Sequence, residues 1–376
     1  MNNPEIPVYD SKSQLSVYED EYLDLAADVI KSGIYINGER TALLKAELSE
    51  FLGGMSVHLV ASGTDALIIG MRSLGLDENS IVVTVANAGG YVSIAGMQIG
   101  CKMIFCDIDS TTHLISLESL REIVNENTQA LVITHLYGNM VDMNEVYKIC
   151  SEFEIKIIED YAQAFGGNSL VPFEKTSTSL FTFSFYPTKN LAGIGDAGAI
   201  ASHDTAIMEK VKKISQYGWT KKYEIDLPKG INSRMDEIQA GIISINLKRL
   251  AYFNQLRREI ISGYKYLLSE SEIKFVTKNS INDVAHLCII KIPKEIDRNQ
   301  LIYNANESGI SFAIHYPRLD IDQPGLTGYF KPHSIPVSQR ENKLILTIPL
   351  FPFMNKSQTS RVCDFLLKQN QLKNGA

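Results

Sequence analysis

Lys156-Ile157-Ile158-Glu159-Asp160-Tyr161-Ala162-Gln163 is a short apolar run that stops on a carboxylate and then breaks. Bounded in this way, such a run reads as a buried strand. Similar runs lie on both sides of it, at 57–61, 81–86, 103–107, 130–135, 156–159, 180–185 and 199–202. Between them, helical periodicity predicts helices near 65–74, 90–99, 117–125, 144–153 and 205–216. Strands and helices in alternation predict an α/β fold: an open, mainly parallel, seven-stranded sheet between helices. Ligands of such sheets bind beyond the carboxyl ends of the strands, which is where Asp160 falls.

Further along, apolar residues at Ile238, Ile242, Ile245, Leu247, Leu250 and Phe253 predict one or two long helices over 234–270. A strand at 286–292, a helix at 298–308, a strand at 311–316 and a closing helix at 356–368 then suggest a smaller C-terminal α+β domain. The expected division is a large domain over 1–250, with an N-terminal arm at about 1–20, and a small domain over 251–376. Residues 320–339, rich in Pro, Gly and aromatics, read as a long ordered loop.

The chain has 376 residues, 45% of them hydrophobic, which is enough for more than one core. A net charge of −7 and the lack of a basic run argue against nucleic acid or an anionic membrane as partners. Five cysteines, an odd number without a C-x-x-C pair, read as buried thiols rather than a zinc site or a disulfide framework, so no metal is expected. The N-terminus lacks a charged segment followed by an apolar one, and no run approaches 18 apolar residues, so a cytoplasmic location is expected.

The chemistry-bearing residues fall at strand ends. In Phe183-Ser184-Phe185-Tyr186-Pro187-Thr188-Lys189-Asn190-Leu191, Lys189 follows a strand and precedes the turn Gly193-Ile194-Gly195-Asp196-Ala197-Gly198. An ammonium crowded there by Tyr, Phe and Pro is a candidate amine for Schiff-base chemistry. Ala61-Ser62-Gly63-Thr64-Asp65-Ala66-Leu67 ends a strand and opens a helix. It forms either an anion site of backbone N–H groups or a plain helix cap. Asp160 can pair with a protonated ring nitrogen or cap the next turn. Tyr91, after Gly89-Gly90, can stack on a flat ligand or serve as a core aromatic. Gly230-Ile231-Asn232-Ser233-Arg234 joins a turn to a charged helix start.

Ser-Gly-Thr-Asp-Ala-Leu at 62–67, Glu-Asp-x-Ala-Gln-Ala at 159–164, the run at 183–191, Gly-Asp-x-Gly-Ala at 195–199 and Asn-Ser-Arg-Met-Asp-Glu-Ile-Gln-Ala at 232–240 resemble, in order and spacing, the DegT-type sugar aminotransferases. These are pyridoxal 5′-phosphate (PLP) enzymes with the aspartate-aminotransferase fold. The resemblance implies that Lys189 is the Schiff-base and proton-carrying lysine. It implies that Asp160 pairs with the pyridinium nitrogen, that Gln163 meets the phenolic oxygen, and that Tyr91 stacks on the ring. Gly63, Thr64 and Ser184 would contact the phosphate, and Asn232 the phosphate in a neighbouring subunit, which implies a homodimer with a shared active site.

The resemblance also implies ping-pong transamination between glutamate and a nucleotide-linked keto sugar, in deoxyamino-sugar biosynthesis of the kind that supplies lipopolysaccharide or O-antigen. The stretches at 87–91 and 216–223 look most like the branch that aminates C3 of a dTDP-linked 3-keto-6-deoxyhexose. The alternatives are amination of a UDP- or dTDP-linked 4-keto sugar, a PLP-dependent sugar dehydratase, or a non-catalytic PLP-binding regulator. Substrate contacts are expected from Tyr186, Lys221, Arg234, His315 and Tyr316. Ile321 departs from the family pattern, since many relatives carry histidine there.

Overall fold

The computed structural model describes residues 5–168, 177–331 and 333–371. Three helices come first: α1 (Ser11–Ser16), α2 (Glu19–Ser32) and α3 (Glu39–Phe51). Alternation follows, through β1 (Ser56–Val60), α4 (Gly63–Ser73), β2 (Ile81–Val85), α5 (Tyr91–Ile99), β3 (Lys102–Cys106), α6 (Leu117–Ile123), β4 (Ala130–Thr134), α7 (Met143–Ser151), β5 (Lys156–Asp160), β6 (Leu180–Ser184), β7 (Gly198–Ser202) and α8 (Thr205–Ile214). A hairpin of β8 (Trp219–Lys221) and β9 (Glu224–Ile225) leads to α9 (Glu237–Leu247) and α10 (Leu250–Leu267). The remainder is β10 (Lys274–Phe275), β11 (Cys288–Lys291), α11 (Arg298–Glu307), β12 (Phe330–Lys331), α12 (Pro336–Glu341), β13 (Ile345–Ile348) and α13 (Lys356–Gln371).

The main sheet runs β1-β7-β6-β5-β4-β2-β3-β12, with β7 reversed against both of its neighbours. All seven predicted strands are present within a residue or two, and the structure adds an eighth, the two-residue β12, on the edge next to β3. The registers bring Thr134 opposite Asp160 and Asp160 opposite Thr182, so the ends of β4, β5 and β6 share one rim. Fully buried strands explain the unbroken apolar runs: β4, β6 and β7 are buried at every position. One core fills the space under α4, α5 and α8, with Leu67, Ile69, Ile158 and Val211. Others, containing Leu131, Val146 and Ile157 or Leu59, Phe183 and Ile243, lie against further parts of the sheet.

A second, three-stranded antiparallel sheet, β10-β11-β13, packs with α10, α11 and α13 around Ile261, Ile290, Leu346 and Val362. Two local expectations are corrected. The strand expected at 311–316 is reduced to a single bridge between Ala313 and Thr347, because the chain bends there to send His315 and Tyr316 toward the main sheet. The loop at 320–339 contains two short 3-10 turns, β12 and the start of α12. The span 234–270 is two helices, parted at Lys248 and Arg249. Ahead of β1, Tyr22, Leu25 and Val29 of α2 form an apolar stripe that packs on Ile242 of α9. No helix among the described residues is long and apolar enough to cross a membrane. The five cysteines are buried and unpaired.

Candidate active site

A cavity of about 470 Å³ opens at the carboxyl ends of β4, β5 and β6. Of the residues singled out from sequence, it gathers Gly63, Thr64, Tyr91, Asp160, Gln163, Ser184, Tyr186, Lys189, His315 and Tyr316. Asn232, Lys221 and Arg234 do not line it. Asn232 is exposed and bridges to Gln216, and Lys221 pairs with Glu224 at 3.8 Å on the exposed hairpin.

Lys189 ends a tight turn in which its N–H donates to the Tyr186 carbonyl at 2.8 Å. Burial pulls its ammonium below the ordinary lysine value, and the carboxylate of Asp160 partly opposes that. Asp160 is buried at the end of β5, and burial pushes its carboxyl up. Several groups oppose this: the Ala162 N–H at 3.0 Å, the charge of Lys189, the Thr182 hydroxyl at 3.3 Å and His135. A carboxylate held there gains from any cation brought against it.

Ser62 caps α4 by accepting from the Asp65 N–H at 3.1 Å, so the capping reading of this stretch holds. The cap leaves the first N–H groups of the helix, at Gly63 and Thr64, facing the cavity. Gly63 is required by proximity, since a Cβ there would lie 2.6 Å from the Ser184 Cβ. This close approach sets a helix N-terminus beside a hydroxyl, which suits a phosphate group.

Gln163 is buried and its orientation is fixed. Its Oε1 accepts from the Tyr137 N–H at 2.7 Å, which leaves Nε2 to donate to the Tyr316 hydroxyl at 2.9 Å. Tyr316 is further placed by the Tyr137 hydroxyl, which donates to the His315 carbonyl at 2.6 Å, and by Gly89, where a Cβ would lie 2.7 Å from the Tyr316 ring. Tyr91 meets that ring edge-on, with centroids 6.2 Å apart.

Five residues in or beside the cavity are not marked by the sequence, Tyr9 of the N-terminal arm being the first. Thr134 lines the cavity with a buried hydroxyl that has no partner; its place at the end of β4, level with Asp160, was the available signal. His286 lines the cavity instead of starting β11, and its Nδ1 lies 2.8 Å from Asn190 Oδ1. Asp196 is a second carboxylate at the mouth. Asp320, outside the cavity, is bonded by the Ser93 hydroxyl and the Gly90 N–H of the turn that carries Tyr91. Burial pushes its carboxyl up to about 7.

The residues present fit PLP. Gly63, Thr64 and Ser184 form a cradle for the phosphate, Asp160 awaits a cation, Thr134 offers an unpartnered hydroxyl, and Lys189 is an amine in reach of the same space.

Residues 17–367 match the DegT/DnrJ/EryC1/StrS aminotransferase family. The chain is 30% identical over 366 residues to a pleiotropic regulatory protein of Geobacillus stearothermophilus, covering 96% of this chain and 97% of that one. It is 31% identical over 361 residues to a dTDP-3-amino-3,6-dideoxy-alpha-D-galactopyranose transaminase of Aneurinibacillus thermoaerophilus, covering 96% and 98%. The crystal structure of NtdA from Bacillus subtilis with its cofactor PMP bound superposes with a TM-score of 0.87 at 27% identity, over 94% of this chain and 82% of that one.

Proposed function

The chain belongs to the DegT/DnrJ/EryC1/StrS aminotransferase family, and from that premise we propose that it moves an amino group from glutamate to C3 of a dTDP-linked 3-keto-6-deoxyhexose. The reading rests on the convergence of Lys189, Asp160, Gln163 and the Gly63–Ser184 cradle in one cavity. Similarity to the dTDP-3-amino-sugar transaminase supports the choice of C3.

The cofactor is PLP, which supplies an aldehyde that takes amino groups covalently and a ring that accepts the electron pair of a breaking C–H bond. Lys189 is the amine placed to hold it and, once released, to carry a proton at Nζ. Its lowered pKa favours the neutral form that such a base needs. Asp160 keeps a proton on the ring nitrogen by charge. Gly63, Thr64 and Ser184 hold the phosphate, Gln163 directs an N–H toward the phenolic oxygen, and Tyr91 faces the ring. Tyr186, His315 and Tyr316 form the side that meets the sugar.

Asn232, Lys221 and Arg234 serve the cavity of a second copy, in a homodimer. Large apolar side chains left on the surface support this, among them Ile30, Ile34 and Tyr35 at 60%, 55% and 53% exposure. The similarity to a pleiotropic regulatory protein favours a second reading, in which PLP is bound without turnover.

The visible spectrum of the PLP-loaded protein separates these readings. Glutamate is expected to bleach it, and the 3-keto sugar to restore it. Restoration by a 4-keto sugar alone would overturn the choice of C3, and no bleaching would overturn transamination in favour of the regulator.

A further inference from the structure

Arg257, in the middle of α10, is 0% exposed. No carboxylate among the described residues forms an ion pair with it, and Nη1 makes a long hydrogen bond to the His286 carbonyl at 3.5 Å. Nε and Nη2 have no hydrogen-bond partner. A guanidinium stays charged in proteins, so this is a buried cation that has the Tyr9 phenol against it and, among the described residues, no carboxylate of the kind that buried charges ordinarily pair with. The two nitrogens left over are informative: Nε–H and Nη2–H lie on one edge of the planar group and point the same way. That edge is the fork that grips both oxygens of a carboxylate.

The guanidinium lies behind two residues of the cavity wall. The guanidinium carbon is 5.6 Å from the centre of the Tyr9 ring, and Tyr9 and His286 both line the cavity. Burial raises the Tyr9 phenol, which the charge of Arg257 opposes, and burial keeps His286 neutral, to which the charges of Lys189 and Arg257 add, so the guanidinium is felt at both lining residues. Asn190, next in sequence to Lys189, holds the His286 ring. The cation is therefore one side chain away from the space that Lys189 faces. Tyr9 stands in front of it, tethered by its hydroxyl to the Pro187 carbonyl at 2.8 Å, two residues before Lys189.

Resting on the transaminase reading above, we infer that Arg257 receives a carboxylate of the amino-acid donor through its Nε/Nη2 edge, and that Tyr9 is the gate covering it. A donor carries a carboxylate one carbon from the amine it must bring to Lys189; a neutral hexose ring carries none. When Tyr9 swings aside, the cavity presents a bidentate anion site. When it returns, the same wall shows a sugar the flat face of a phenol. One cavity thus accepts two unlike substrates in turn.

The test uses PLP-loaded protein and glutarate, a dicarboxylate without an amine, titrated by calorimetry. Arg257→Lys and Arg257→Met are expected to weaken glutarate by about tenfold or more and to raise KM for glutamate similarly, because the first loses the two-donor fork and the second loses the charge as well. The sugar half-reaction, started from the aminated cofactor, is expected to stay within about twofold. Should those buried substitutions prevent folding, Tyr9→Ala keeps Arg257 and removes the gate, and it is expected to tighten glutarate by about threefold or more. Wild-type glutarate affinity in a folded Arg257 variant, an equal fall in both half-reactions, or no tightening with Tyr9→Ala would each overturn the assignment. Failure of the wild-type protein to respond to glutamate would instead overturn the transaminase reading, whatever glutarate does.

Discussion

The cavity has two walls made in different ways. One is the rim of the sheet: Thr134, Asp160 and Ser184 end three adjacent strands, and Gly63 and Thr64 begin the helix beside them. Backbone register fixes these positions, so side chains far apart in sequence arrive at one level without needing each other. The opposite wall, made of Tyr9, His286, His315 and Tyr316, has no regular structure to align it. It is held by side-chain bonds across long separations, from Tyr137 to His315 and from Gln163 to Tyr316. Backbone register sets the rim, and side-chain bonds set the wall.

If that division is right, substitutions on the rim abolish the reaction and those supporting the wall tune it. The largest effect is expected for Lys189→Ala, which removes both the covalent anchor and the proton carrier; the glutamate half-reaction should slow by about 10⁴-fold or more in single-turnover measurements. A rate within tenfold of wild type would place the chemistry elsewhere. Next comes Gly63→Ala. Its Cβ would press on Ser184, and overpacking of this kind costs about 1–3 kcal/mol, expected as weaker PLP binding in a fluorescence titration. Unchanged affinity would remove the cradle from the phosphate.

The smallest effect concerns the wall. Asp320 holds the turn that carries Tyr91, and its carboxyl is raised by burial to about 7. An unfolded aspartate titrates near 3.9, so between about pH 4 and pH 7 the unfolded chain has shed a proton that the fold retains. The stability it contributes is full below that window and falls as pH rises through it, by at most about 1.4 kcal/mol per pH unit. Asp320→Asn should flatten this component of the melting temperature between pH 4.5 and 7.5. An unaltered slope would mean that Asp320 is ionised in the fold.

The same division explains what could be read in advance. Most rim residues were legible because they sit where a strand ends or a helix begins, and such ends follow from local pattern; Asp160, Ser184 and Gly63 fell where the alternation put them, whereas Thr134, at an equivalent strand end, carried no motif. Of the wall, His315 and Tyr316 were legible through the family resemblance and Tyr9 and His286 were not, because their places depend on bonds to Pro187 and Asn190 far along the chain. Residues 311–316 have the composition of a strand, yet only Ala313 pairs, and His286 was read into β11 although it faces the cavity. Asp320 gave no local signal, since its burial depends on packing against Ser93. Lys221, Arg234 and Asn232 lie in motifs of the family resemblance but outside this chain's cavity, and no periodicity marks which residues of a motif line a cavity.

The fixed orientation of Gln163 gives the wall a polarity. A backbone N–H can only give, so the Tyr137 amide sets the carboxamide, the carboxamide spends an N–H on the Tyr316 oxygen, and the phenolic proton is the one element of the chain left to point outward. The Tyr316 hydroxyl is therefore biased: one lone pair is already taken by Gln163, and its proton is free to be offered. A visiting molecule is met there first through its oxygens, and acceptors for a hydroxyl proton that it carries stand elsewhere in the lining, at Asp196, Thr134 and Ser184.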